Sequence, residues 1–356
     1  MRARELGFAF AGEPGQYNAI TDVSGVLVGA HTVSRGQLQT GLSIVCPVGR
    51  SMATVPAGWA AFNGNGEMTG TVWVAESGGL SLPVGITSTH AVGTVDRGIV
   101  EWAARNDPTV ADRWLLPVVA ETWDGHLNDA TARAFDTADV GAAIETAASG
   151  PVAEGSVGGG TGMTCYGYKG GTGTSSRRIR VGSATYTVAV LVQANFGSRR
   201  ELCLGGVPIG SRLVADDPLA SAGAPEAAGS CIALVATDAP LLPGQCKALA
   251  RRVPLGLGRT GTFGSHFSGD LALAFSTSGA GALDSAATGA VVGVRQLSFL
   301  PWGAIDPAYE AVVQAVEEAV VNALVAGRDT VGRDGHAVPG LPVEEVLRLL
   351  GGRAQA

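Results

Sequence analysis

The sequence predicts an α/β protein in which stacked antiparallel or mixed sheets lie between helical layers. Three observations carry this. Apolar strands come in pairs and do not alternate strictly with helices, a pattern that suits stacked sheets. One window, 306–327, has both the apolar content and the termini of a long helix. Hydrophobic residues make up 46% of the 356 positions and charged ones only 15%, so the chain can bury the large core such a stack needs.

Residues 20–33, ITDVSGVLVGAHTV, and 40–49, TGLSIVCPVG, read as two strands with a loop between. Window 55–70, dense in Gly and Asn, reads as loop. Window 82–106 starts as a strand and turns helical near Thr89, where Ser88 or Thr89 can cap the free N–H groups. Val92, Val95, Ile99, Val100 and Ala103 then give that helix an apolar stripe. Residues 115–129 form another apolar strand ending in a polar loop. The glycine-rich window 155–174 is no phosphate cradle, because Lys169 is followed by Gly-Gly rather than Ser or Thr. It reads as a close-packed hairpin in which backbone approaches backbone.

A long apolar strand covers 185–197, and 213–229 has the composition of a surface linker. A strand at 231–236 and a helix around 243–252 follow, with Asp238 as the expected cap. The next strand is 270–278. The helix at 306–327 has Asp306 as its cap, Pro307 at its first position and Gly327 as its stop. A last helix begins near Pro342.

Charge and composition exclude several functions. The net charge is −7 and no basic run exceeds SSRRIR at 175–180, so nucleic acid and anionic membranes are not expected partners. No apolar stretch nears the roughly 18 residues that span a bilayer. The apolar run of the first twelve residues is too short for a signal peptide. Cys46, Cys165, Cys203, Cys231 and Cys246 are odd in number and scattered, which predicts free thiols in a reducing compartment, the cytoplasm. The five histidines show no metal-ligand spacing, and no G-x-S-x-G elbow surrounds a serine.

The chemistry centres on Ser230. It stands between the linker and an apolar strand, either as the turn residue that ends a loop or as a cut site. A break at Gly229–Ser230 would place an α-amine, with an ordinary pKa near 8, one residue from the hydroxyl it must deprotonate. Ser268 and Asp270, two apart at the start of a strand, would share a face, either as strand-end caps or as a hydroxyl–carboxylate relay. Asn195 ends an apolar strand, where it can form a turn or donate its amide to an oxyanion. Glu121 ends another, either as an ordinary loop acid or as an anchor for a substrate ammonium, with Trp123 as a wall.

Together, the segments NAITDVSGVLVG, VPAGWAAFNGNGEMTG, ITSTHAVG, VVAETWDGHLND, GGTGTSSR, LVQANFG, GVPIG, GSCIALVATDAPLLP and SGDLALAFSTS resemble the L-aminopeptidase/D-esterase and β-peptidyl aminopeptidase family in their order. The resemblance runs from about residue 18 to 345. It implies one domain, a four-layer α/β/β/α sandwich similar to N-terminal-nucleophile hydrolases with different connectivity, and self-cleavage into 1–229 and 230–356. It also implies removal of N-terminal residues from small peptides, amides or esters with a free amine, no metal or other cofactor, and a homotetramer or larger assembly. By motif, Ser230 looks like the nucleophile, Ser268 and Asp270 the supporting pair, Asn195 the oxyanion donor and Glu121 the amine anchor. The α-amine and the Ser268–Asp270 pair both stand as candidate bases. Two rivals are an ornithine-acetyltransferase-like acyl transferase, against which serine rather than threonine at 230 argues, and an unprocessed, non-catalytic relative.

Overall fold

Two sheets stack face to face in the computed structural model of the chain, which describes residues 1–109, 114–213, 229–284 and 293–351. The strands longer than two residues are β1 (Leu27–Arg35), β2 (Leu38–Arg50), β3 (Val55–Ala61), β4 (Val84–Ser88), β5 (Val118–Thr122), β6 (Gly171–Val181), β7 (Ala184–Asn195), β8 (Gly229–Thr237) and β9 (Ser268–Ser276). The α-helices are α1 (Thr71–Ser77), α2 (Val92–Asn106), α3 (Thr137–Glu145), α4 (Pro243–Ala250), α5 (Val253–Arg259), α6 (Asp306–Ala326) and α7 (Val343–Gly351). The first sheet has the order β1-β2-β4-β5. The second runs β3-β9-β8-β7-β6, with Gly79–Leu80 as a short outer strand beside β3. Two pairs are parallel, β4 with β5 and β8 with β9; the others among these strands are antiparallel.

Side-chain alternation builds the layers. Leu191, Ile232, Leu234, Leu271 and Leu273 of the second sheet meet Val45, Ile86, Val118 and Ala120 of the first. Their neighbours Cys231, Ala233, Val235, Ala272 and Ala274 point the other way, into a core shared with α4, α5 and α6. The outer face of the first sheet, with Ile44, Cys46 and Val119, packs on α2 and α3. The order is therefore helix, sheet, sheet, helix, the expected four layers.

Some local expectations change. Window 55–70 contains β3, because Gly58 is a packing site rather than a loop residue: a Cβ there would lie 2.5 Å from the Lys247 backbone nitrogen of α4. Neither Ser88 nor Thr89 caps α2, which starts after a 3-10 turn with no side-chain cap. Trp102, absent from the expected stripe, is the largest buried side chain of that helix. Asp238 does not cap α4; its carboxylate accepts from the Thr187 backbone N–H at 2.7 Å. Asp306 is the first residue of α6 and makes no capping bond, while Pro307 in the first turn and Gly327 at the end hold as expected.

The basic run 175–180 lies inside β6, where buried Arg177 pairs with Glu318 at 2.7 Å. The glycine-rich window does bring backbones together, since a Cβ on Gly173 would lie 2.0 Å from the Ala319 carbonyl oxygen of α6. All five cysteines are unpaired. Among the described residues no helix is long and apolar enough to cross a membrane. Residues 214–228 of the expected linker lie outside the described residues.

Candidate active site

The end of β7 and the start of β8 lie side by side, with Asn195 opposite Ser230. They fit only because residue 229 is glycine. Its φ is +157°, and a Cβ there would lie 2.0 Å from the Asn195 carbonyl oxygen. Ser230 is the second residue of β8 and not, as expected, the residue before the strand. Its buried hydroxyl donates to the Gly229 carbonyl oxygen at 2.7 Å. Alternation with Ile232 and Leu234 turns it toward the space between the sheets.

On the other side of Ser230, in register, stands Gly269 of β9. The loop after β3 fills the space a side chain would take there: a Cβ on Gly269 would lie 2.2 Å from the Asn65 carbonyl oxygen. Gly66 then reaches Glu121, since a Cβ on it would lie 3.4 Å from Glu121 Oε1 and 3.3 Å from Gly269 Cα. The Ser230 end of β8 and the Glu121 end of β5 are thus joined through one loop.

Glu121 is buried and accepts from the Glu67 backbone N–H at 2.9 Å and from the Thr89 hydroxyl. Among the described residues no cationic side chain is paired with it. A buried carboxylate with donors but no cation has the chemistry to pair with an ammonium. Trp123, half exposed, stands two residues on. Its backbone carbonyl accepts from Asn195 Nδ2 at 2.9 Å, and Asn195 Oδ1 accepts from the Thr164 N–H at 2.8 Å. These two bonds fix which end of the amide is the donor and leave one Nδ2 hydrogen for another acceptor.

Ser268 and Asp270 share a face, as expected, and the Ser268 hydroxyl donates to Asp270 Oδ1 at 2.7 Å. That face is the wrong one for a direct relay. Asp270 follows Ala272 and Ala274 toward the helices, whereas Ser230 faces the other sheet. Asp270 and Cys231 line a cavity of about 160 Å³ under α4 and α5. Asn63 Nδ2 donates to Asp270 Oδ2 at 3.3 Å, and the Cys231 backbone N–H faces the same carboxylate. Burial raises Asp270 above the usual carboxylate range against these three donors. Burial and the neighbouring Asp270 charge also hold the Cys231 thiol well above its ordinary value, which keeps it protonated.

Thr89 and Asn63 were missed by sequence reasoning as site residues. Each sits in a stretch with another plausible local job, a helix start and a Gly-Asn loop. No histidine is bonded to the Ser230 hydroxyl, and no cluster of three metal-ligating side chains occurs among the described residues.

Asp124, next to Trp123, gives a stability prediction. It is buried, Asn128 donates to its Oδ1 at 3.0 Å, and the Thr40 hydroxyl faces the same carboxylate. Burial raises it to about 6. Between pH about 4 and 6 the folded chain therefore holds a proton that the unfolded chain has released, so stability falls as pH rises through that window. The loss is on the order of 3 kcal/mol. Asp124→Asn, which cannot ionise, is expected to flatten the fall and to melt higher than wild type near pH 7. Parallel melting curves for the two proteins from pH 4 to 7 would exclude this reading.

The Peptidase family S58 model matches residues 18–338. The beta-peptidyl aminopeptidase of Sphingosinicella microcystinivorans is 44% identical over 369 aligned positions, covering 98% of this chain and 91% of that protein. A beta-aminopeptidase of a Burkholderia species superimposes with TM-score 0.90 at 40% identity, covering 99% of both chains. The L-aminopeptidase D-Ala-esterase/amidase of Ochrobactrum anthropi, described as a prototype of the serine aminopeptidases with a variant of the Ntn hydrolase fold, gives the same TM-score, identity and coverage.

Proposed function

The chain belongs to peptidase family S58, and from that membership and the geometry of its strand ends we propose that it is a self-processing serine aminopeptidase. The observation that carries the reading is Glu121, a buried carboxylate held by donors and by no cation, tied through one loop to the strand end that bears Ser230.

One domain is cut at Gly229–Ser230 into chains 1–229 and 230–356. In the intact chain the Ser230 oxygen attacks the Gly229 carbonyl carbon, the C–N bond breaks, and an ester and a free α-amine form. Water hydrolyses the ester and leaves Ser230 as a new terminus. In turnover, Glu121 takes the substrate ammonium beside Trp123. Ser230 Oγ attacks the substrate carbonyl, and the free Nδ2 hydrogen of Asn195 receives the developing oxyanion. The leaving amine departs, and water releases the acyl group. The Ser230 α-amine and the Ser268–Asp270 pair are the candidate bases; the Ser268–Asp270 pair reaches Ser230 only through the backbone of Cys231. Five unpaired thiols support work in the cytoplasm. The exposed Val72, Trp73, Trp114 and Leu116 support an interface between copies, and the tetramer or larger assembly rests on the family resemblance.

The test is the demand for a free amine. A charge-assisted bond is worth roughly 1.5–3 kcal/mol. Alanyl p-nitroanilide is therefore expected to exceed its N-acetyl derivative in kcat/KM by about tenfold to a hundredfold. Glu121→Gln should raise KM for the free amine and narrow that ratio, while the cut at Gly229–Ser230 goes on. Equal rates for both substrates in wild type would make the protein a general amidase. An unchanged ratio in the variant would move the amine site off Glu121.

A further inference from the structure

Lys169 has no place in the chemistry above. Its side chain is fully buried, and among the described residues no acid is paired with it. Its ammonium instead donates to three backbone carbonyls, Gly160 at 3.2 Å, Met163 at 2.8 Å and Gly170 at 3.1 Å. Burying this amine without a counter-ion is costly, and burial lowers it from its ordinary value to about 7, so this placement needs a return.

The return lies in what the three carbonyls hold. They come from the two limbs of one loop, and the ammonium draws these limbs together. At its centre the loop meets the end of β7 twice. The Tyr166 N–H donates to the Phe196 carbonyl at 2.8 Å, and the Thr164 N–H donates to Asn195 Oδ1 at 2.8 Å. Thr164 follows Met163, whose carbonyl is the closest of the three acceptors. The route from Lys169 to the Asn195 amide is thus one hydrogen bond, one peptide group and one further hydrogen bond. An amide turned by 180° would present its oxygen to the oxyanion, so a loop that fixes Oδ1 sets the sign of the dipole Ser230's reaction meets.

We infer that Lys169 is a positioning residue for the hydrolysis, acting through the 160–170 loop and the Thr164 N–H to hold Asn195 as an oxyanion donor. This rests on the reading of Asn195 as that donor. Lys169 touches neither substrate nor Ser230, and its effect falls on the transition state rather than on amine binding.

The test is a double-mutant cycle on mature enzyme with alanyl p-nitroanilide. Lys169→Met keeps the length and apolar stem and removes the donors. It is expected to lower kcat at least tenfold with KM changed less than about threefold. Asn195→Ala is expected to lower kcat by about a hundredfold or more. In the Asn195→Ala background, Lys169→Met should cost little further, because the group it positions is gone. Equal losses from Lys169→Met in both backgrounds would overturn the inference and leave Lys169 a purely structural residue. Near-normal kcat for Asn195→Ala alone would instead overturn the oxyanion reading. If Lys169→Met gives no folded protein, Thr164→Pro, which removes the N–H to Asn195 together with the threonine side chain and fixes the local backbone, is carried through the same cycle, with folding checked first. Near-wild-type kcat there would equally refute the proposed route.

Discussion

Ser230→Ala is expected to leave the chain whole and without activity, while wild type yields 1–229 and a second chain beginning Ser-Cys-Ile. The intact structure favours this cut in three ways. The Ser230 hydroxyl already donates to the Gly229 carbonyl, 2.7 Å away, so its oxygen lies beside the bond it must attack. Gly229 has no room for a side chain beside the Asn195 carbonyl, and its N–H donates to the Phe267 carbonyl at 3.3 Å, so the residue that supplies the scissile carbonyl is held from both sides. Residue 231 onward runs straight into the core between β7 and β9, which holds the new terminus in place after the cut. Loss of the nucleophile should lower kcat/KM by about ten-thousandfold or more, as for other serine enzymes stripped of theirs. Denaturing mass spectrometry reads the cut, and the native spectrum counts the copies in the assembly. Wild type that stays whole and still hydrolyses substrate would sink the self-processing reading. A cut Ser230→Ala would move the nucleophile elsewhere, and a mature monomer would remove the tetramer.

The layers were legible because each depends on a local period. Ile232, Leu234 and Ala236 alternate with Cys231, Ala233 and Val235, and a strand with two apolar faces must lie between two layers. β3 was not legible, because the space its Gly58 leaves is used by a helix nearly two hundred residues further on. The same limit applies at the site. That Ser268 and Asp270 share a face follows from a spacing of two. Which face they share relative to Ser230 depends on register between β8 and β9, and that is a long-range property. Parallel pairing places Gly269 beside Ser230 and Asp270 beside Cys231; a slip of one residue would reverse the arrangement. Asn195 and Glu121 could be picked out as polar residues ending apolar strands. Their holders, Thr164 and Thr89, could not, since each bond closes only when separate strand ends meet.

Asp270→Asn is expected to lower kcat by about a hundredfold or more, although the carboxylate lies behind the sheet that bears Ser230. Both of its oxygens accept, Oδ1 from the Ser268 hydroxyl and Oδ2 from Asn63, and the Cys231 N–H faces it as well. An asparagine can turn its NH2 only toward the Ser268 hydroxyl, which must then accept instead of donate, so the direction of that bond is reversed and the negative charge is lost. The disturbance enters at Cys231, the one residue covalently bonded to Ser230 once the 229–230 bond is cut. KM should move little, because Glu121 and Trp123 are untouched. The pH profile separates charge from shape. Burial raises Asp270 above the usual carboxylate range. If its ionised form supports turnover, wild-type kcat rises with pH as that proton leaves, at a pH above the ordinary carboxylate value. Asp270→Asn, having no proton to lose, should lack this limb, and Asp270→Glu should keep it and recover part of the rate. Processing is read separately by mass, so that an uncut variant is not mistaken for a slow one. A correctly cut, folded Asp270→Asn enzyme with near-normal kcat would confine Asp270 to holding Ser268 and Asn63, and would leave the α-amine of Ser230 as the remaining base.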